Sequence, residues 1–217
     1  MQELTMDAEE TESLSGSGFV AEGCYVRDGE DSEYYPKKLS IGKSLSELKL
    51  NHIQKILLMT DGTVTELLEY LSQEPIVIEK VYQKLEGDLC GVPDEHVSSI
   101  QPGVSQVLIR KIILKGKITR KNYIYAESTI LVDCLPSDFR NELINTKTPI
   151  GKLWSKHRLE TYKTDFVAIK EKPTAQIASH LSIPLDTDVL SRTYCVYSCG
   201  EKSMVITEKF SSDLFVE

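Results

Sequence analysis

Hydrophobic positions divide the chain into stretches of two different periods. In "SLSELKLNHIQKILLMT" (44–60), Leu45, Leu48, Leu50, Ile53, Ile56 and Leu57 recur at the spacing of one helix face. A second stripe, Val64, Leu67, Leu68 and Leu71, runs through "VTELLEYLSQ" (64–73). Between them Asp61, Gly62 and Thr63 predict a tight turn, with Asp61 or Thr63 as cap. Glu66 follows Thr63 by three residues, as in a capping box. After Pro75 the period falls to two. "PIVIEKVYQKLE" alternates and is β-branched, which predicts a strand. Two long antiparallel strands are predicted over 105–115 and 122–132, joined by the polar "KGKITRKN". "PSDFRNELINT" reads as a short helix capped by Ser137, and "PIGKLWSKH" as another, opened by Pro149. "RLETYKTDFVAIKEK" is a further strand, and "PTAQIASHLSI" a helix starting at Pro173 or Thr174. The last segment is a hairpin turning at 199–202. Roughly five or six strands joined mostly by hairpins predict an α+β fold, a single antiparallel β-sheet with helices, rather than a doubly wound one.

Residues 1–44 break this pattern and predict an acidic, flexible N-terminal arm ahead of one domain over 45–217. Its polar, charged stretches bury too little apolar surface to order themselves. "GFVAEGCYV" within it is open to two readings, a docked strand or part of the arm. Charge sharpens the division. Residues 1–35 hold ten acidic and one basic side chain, net −9, whereas the remaining 182 hold 23 acidic and 24 basic, net +1. No basic stripe is interleaved with aromatics, so no nucleic-acid partner is expected. No apolar run approaches the ~20 residues that span a bilayer, and the N-terminus lacks the basic start and apolar core of a secretory signal. A cytoplasmic protein is expected, and its five cysteines are then free thiols.

Familiar catalytic spacings are missing: no G-x-S-x-G elbow, no phosphate-cradling glycine loop, no H-E-x-x-H. His52, His96, His157 and His180 are scattered, and Cys195 and Cys199 lack a second ligand pair, so no metal is expected. The telling residues lie in the strands. Arg110 and Lys111 interrupt the aliphatic "VLIRKIIL"; alternation turns one of them inward, and a buried guanidinium needs an anion. Glu208 stands beside Lys209 in "MVITEKF", and Glu127 is a third charge in an apolar strand, for which a structural partner is favoured.

Five stretches in order, "LLMTDGTVTELLEYL", "LIRKIILKG", "YAESTILVDCLP", "TPIGKLWSKHRLETYK" and "SRTYCVYSCGEKSMVITEKF", resemble the chorismate pyruvate-lyases, most of all their longer branch. The similarity covers about residues 45–212. It implies helical flaps over an internal pocket and removal of the enolpyruvyl group of chorismate, giving pyruvate and 4-hydroxybenzoate without cofactor. On the matching positions it implies that Arg110 binds the ring carboxylate and that Glu208 stands at the 4-hydroxyl end. Ile150 supplies a backbone contact, with Gly151 permitting close approach, and Thr63 and Val64 cover the ring from the flap. Glu127 inherits no role, because the compact branch differs at "AES". Arg158 and Arg192 are candidates for the second carboxylate of chorismate on charge alone. Arg158 is preferred because it follows the "PIG" helix, with a salt bridge to Glu160 or Asp165 as the alternative. Glu208 is expected near the ether oxygen, as an acid or a hydrogen-bond partner, and a monomer or weak homodimer is expected. The rival reading is a non-catalytic, ligand-sensing module of the same fold. Regulators of that kind carry a basic winged helix where this chain has an acidic arm.

Overall fold

The computed structural model describes residues 50–87 and 106–215. The expected arm, the "GFVAEGCYV" segment, Leu45, Leu48, Cys24, Cys90 and His96 lie outside the described residues. In chain order the elements are α1 (His52–Met59), α2 (Val64–Ser72), β1 (Ile76–Glu86), β2 (Val107–Gly116) and β3 (Asn122–Leu131). A short 3-10 turn (Val132–Cys134) leads to α3 (Ser137–Asn145), α4 (Ile150–His157), β4 (Thr161–Glu171), α5 (Ala175–Leu181), β5 (Val189–Ser198) and β6 (Glu201–Ser211). The strands form a six-stranded antiparallel sheet in the order β1-β2-β3-β6-β5-β4. The expected α+β class is therefore observed. No helix among the described residues is long and apolar enough to cross a membrane.

Helix starts differ from expectation in instructive ways. α1 begins at His52 because Asn51 and Gln54 cap each other. Asn51 Oδ1 accepts from the Gln54 amide at 2.8 Å, and the Asn51 amide donates to Gln54 Oε1 at 2.9 Å. Its buried face is Gln54, Leu57 and Leu58, so Ile56, expected in the stripe, is 51% exposed. Thr63 precedes α2 but makes no side-chain capping bond, and the expected Thr63–Glu66 box is not formed. Ser137 is the first helical residue of α3, not its cap. Thr174 does cap α5, accepting from the Ile177 amide at 3.3 Å.

The inner face of the sheet carries two apolar clusters. One packs under α1 and α2 (Leu57, Leu58, Leu68, Ile112, Ile124) and the other under α3 and α4 (Phe139, Leu143, Leu153, Ile130, Met204). A smaller cluster with α5 covers part of the outer face. Register sets a polar belt between the two inner clusters. Arg110 lies opposite Ser128, and Ala126 opposite Glu208, which in turn faces Arg192.

Glu74, at the α2–β1 junction, clamps the β2–β3 hairpin. Its carboxylate accepts from the amides of Ile118 and Thr119 at 2.6 and 2.9 Å, from the Thr119 hydroxyl and from Tyr123 Oη at 3.1 Å. A Cβ on Gly116 would stand 2.2 Å from Glu74 Oε1, so only glycine admits the clamp. These donors, the Thr119 hydroxyl first, outweigh burial and hold the Glu74 carboxyl at about 2, against an ordinary 4.5. A carboxyl depressed in the folded state stabilises it above the unfolded value and loses that contribution as pH falls through the folded one. Glu74→Gln should therefore be less stable than wild type at pH 7. Denaturant unfolding in a pH series should show the gap closing between about pH 4.5 and pH 2; a gap independent of pH would contradict the clamp.

Candidate active site

A cavity of about 50 Å³ lies where the polar belt passes under the α1–α2 turn. Its floor is the sheet (Ile112, Ala126, Ser128, Ile206, Glu208, Tyr194) and its roof is Thr63, Val64 and Thr65 of the flap. Pro149, Ile150, Gly151 and Trp154 close it from α4. The flap and α4 meet closely. A Cβ on Gly151 would come within 2.1 Å of Thr63 Cγ2, so Thr63 spends its side chain on this contact rather than on a cap. Lys152 Nζ bridges to Glu69 Oε1 at 2.6 Å, tying α4 to α2. Among the described residues the α1–α2 pair is the one helical flap over the cavity.

Of the residues singled out in the sequence, Thr63, Val64, Ile150, Gly151 and Glu208 line the cavity. Arg110 stands just beyond it on the same sheet face, beside Ser128 and beneath the Thr148–Pro149 segment. Its guanidinium is 1% exposed, and its single hydrogen bond runs from Nη2 to the Thr148 carbonyl at 3.4 Å. Nε and Nη1 are buried without a partner. Burial pulls the Arg110 pKa down to about 10, from 12.5. Lys80 on β1 is pulled below its ordinary range by burial and then by the Arg110 and Lys147 charges, so this end of the belt is electropositive.

Glu208, 7% exposed, accepts from Arg192 Nε at 2.6 Å. Arg192 is 1% exposed, donates from Nη1 to the Thr60 carbonyl of the flap at 3.0 Å, and leaves Nη2 without a partner. Its Cζ stacks 5.0 Å from the Tyr194 ring centre. Burial, the largest single influence, would lower the Arg192 pKa, but Glu208 and Tyr194 together outweigh it and the net shift is upward. Burial raises the Tyr194 phenol, with the Glu208 charge adding to it. From the register, Arg110 and Glu208 stand two strands and two residues apart, about 10 Å across the sheet and about 7 Å along it. Both positions lie on one sheet face, with Ile112, Ala126 and Ser128 between them.

Arg158, preferred for a second anion, requires correction. It is the exposed, left-handed residue that ends α4 (φ 49°) and does not line the cavity. Chain proximity to "PIG" misled, because α4 turns its C-terminus away. Arg192, the other candidate, is the buried one. Glu127 points to the opposite face, where it accepts from Tyr125 Oη at 2.7 Å and from Lys111 Nζ at 3.4 Å. The cation beside it is the partly exposed Lys111, not the buried arginine expected of a structural partner. Of the histidines, His157 pairs with Glu142 and His180 stacks on Tyr125, both away from the cavity.

Sequence reasoning missed Lys163. It is 3% exposed, lines the cavity, and donates from Nζ to the Asp61 and Gly62 carbonyls at 2.5 and 2.7 Å. Its ammonium stands 5.6 Å from the Trp154 ring centre and 5.5 Å from that of Tyr194. Strict alternation from Ala168 and Phe166 would turn Lys163 outward. A bulge between Thr164 and Val167, with Asp165 at φ 55°, inserts one residue and turns it in. The one available signal was a lysine between aromatics in "TYKTDF".

The profile of the chorismate pyruvate-lyase Rv2949c-like family matches residues 58–216. The chorismate pyruvate-lyase of Mycobacterium tuberculosis (strain H37Rv) is 30% identical over 167 residues, 77% of this chain and 83% of that protein. That of Mycobacterium leprae is 31% identical over 169 residues, 77% and 78%. Among solved structures, the effector domain of PhnF from Mycobacterium smegmatis superposes with a TM-score of 0.54 at 12% identity, over 71% of this chain and 91% of that one, a likeness of fold. The extent of the profile match, together with two relatives at 30% identity or above over three-quarters of the sequence, places this chain in the chorismate pyruvate-lyase family.

Proposed function

We propose that the protein eliminates pyruvate from chorismate to give 4-hydroxybenzoate. The observation that carries this reading is the buried Arg110 guanidinium, with Nε and Nη1 unpartnered at the end of an apolar floor. A carboxylate laid against it satisfies both donors in the planar fork that guanidinium prefers. The ring then lies over Ile112, Ala126 and Ser128 under Val64 and Ile150, and its far end reaches Glu208.

The chemistry needs few groups. The ether C–O bond breaks with its electron pair on the enolpyruvate oxygen, and the ring carbon bearing the hydroxyl loses a proton, whose electrons complete the aromatic ring. The enolpyruvate carbonyl re-forms as its methylene carbon takes a proton, giving pyruvate. The expectation that Glu208 serves as an acid changes with its environment. Paired with the buried Arg192, it is presented as an acceptor. Glu208 thus holds the hydroxyl and takes the ring proton, which it returns to the methylene carbon. Arg192 orients it. Aromatisation supplies the driving force, so positioning is the main task of the protein.

Chorismate consumption can be followed by ultraviolet absorbance, with released pyruvate measured in a coupled assay. Arg110→Ala should lower turnover by about 10²-fold or more, the scale for removing one aimed donor set. Its melting temperature should hold or rise, because a partly uncompensated charge leaves the interior. A wild-type protein that binds 4-hydroxybenzoate without releasing pyruvate from chorismate would favour the sensing module instead.

Closure makes a second prediction. Gly151→Ala drives a methyl into Thr63 and should weaken 4-hydroxybenzoate binding roughly tenfold, within the ~1–3 kcal/mol scale of overpacking. Adding Thr63→Ser removes the opposing methyl and should restore most of that loss; a double variant as weak as the single one would refute this contact as the closing one.

A further inference from the structure

We propose that Lys163 and Arg192 receive a second carboxylate, the one on the ether arm of the substrate, which displaces the flap carbonyls that Lys163 holds. The inference takes its substrate from the lyase reading above. Geometry places the arm. With the ring carboxylate at Arg110 and the hydroxyl end at Glu208, the ether carbon is the neighbour of the hydroxyl carbon. An arm from it continues along the belt, away from β2. The next strands in that direction are β5 and β4; β4 carries Lys163 on the cavity wall, and β5 carries Arg192 against Glu208, which lines it.

Both cations present donors to this part of the belt. Arg192 Nη2 is buried without a partner. Lys163 donates to the backbone carbonyls of Asp61 and Gly62, which are neutral acceptors. A carboxylate makes the stronger, charge-assisted bond to the same ammonium, so the exchange favours the dianion. The narrowness of the cavity also requires an exchange. At about 50 Å³ it has room for about four waters, less than a substituted ring acid needs. The turn from Thr60 to Gly62 must move, and it is tied down by Arg192 and Lys163. The dianion therefore unlatches the turn that covers it. Once pyruvate has left with its carboxylate, the remaining ring acid bears one carboxylate, and the latch re-forms. The site on this account selects dicarboxylates over monocarboxylates, and Lys163 is a specificity-determining residue.

Trp154, the sole tryptophan of the chain, lies on the cavity wall beside Lys163, so its fluorescence reports binding. Wild type, Lys163→Gln and Lys163→Met would each be titrated with 4-hydroxybenzoate and with 3-(carboxymethoxy)-4-hydroxybenzoate, an unreactive analogue bearing the second carboxylate. Wild type should prefer the dicarboxylate about tenfold or more, the scale of a hydrogen bond to a charged group. Glutamine keeps a donor for the flap carbonyls and loses the charge, so Lys163→Gln should abolish that preference while holding 4-hydroxybenzoate affinity within about twofold. Lys163→Met should abolish the preference too. Equal weakening of both ligands, showing Lys163 to be a latch alone, overturns the proposal. So does a preference that survives in Lys163→Gln, or its absence from wild type. A wild type that prefers the dicarboxylate but releases no pyruvate from chorismate supports this inference while removing the lyase reading.

Discussion

Two guanidinium groups buried on the apolar face of one sheet set the terms for everything above it. An uncompensated charge in a protein interior costs several kcal/mol, a large part of the ~5–15 kcal/mol by which a domain is stable. Arg192 meets this demand with Glu208 and with the Thr60 carbonyl. Arg110 meets it only in part, with one long bond to the Thr148 carbonyl. The first arrangement fixes a carboxylate at one end of the belt and pulls the flap onto it. The second leaves an electropositive end whose charge an anionic ligand relieves. Ligand binding and stability are thereby linked through the same residue.

Much of this was legible in the chain because a strand reports its own faces. Alternation in "VLIRKIIL" and "MVITEKF" put one of each charged pair inward, and the inward members are Arg110 and Glu208. The hairpin spans at 107–116 and 122–131 also followed from period and turn chemistry. Local pattern does not contain the order of strands in the sheet. Glu208 shares a face with Arg110 across β3 only because β6 pairs with β3 as well as with β5, whereas Arg192, its partner across the predicted hairpin, was passed over for Arg158. Lys163 was hidden for a different reason, since one bulged residue reverses which face a strand shows. Thr63 had the look of a cap and the neighbours of a packing residue; the glycine that decided between them lies 88 positions away, at Gly151.

Access to the cavity is restricted by the same burial that forms it. Leu57, Leu58, Val64 and Leu68 hold the flap helices to the sheet, each nearly or fully buried. At ~1.5–3 kcal/mol for each side chain exposed, lifting both helices would cost about 6–12 kcal/mol, comparable with unfolding the domain. Movement is therefore confined to the turn from Thr60 to Thr63, where Asp61 and Gly62 are already exposed. What holds that turn is a few hydrogen bonds from buried cations to its carbonyls, worth ~1.5–3 kcal/mol each. These bonds release one at a time, each step small beside lifting the helices, and a ligand carboxylate that takes up the same cations offsets their loss. The flap thus combines helices that stay seated with a turn that yields, and the charges that seat the turn are those a dianionic substrate would meet.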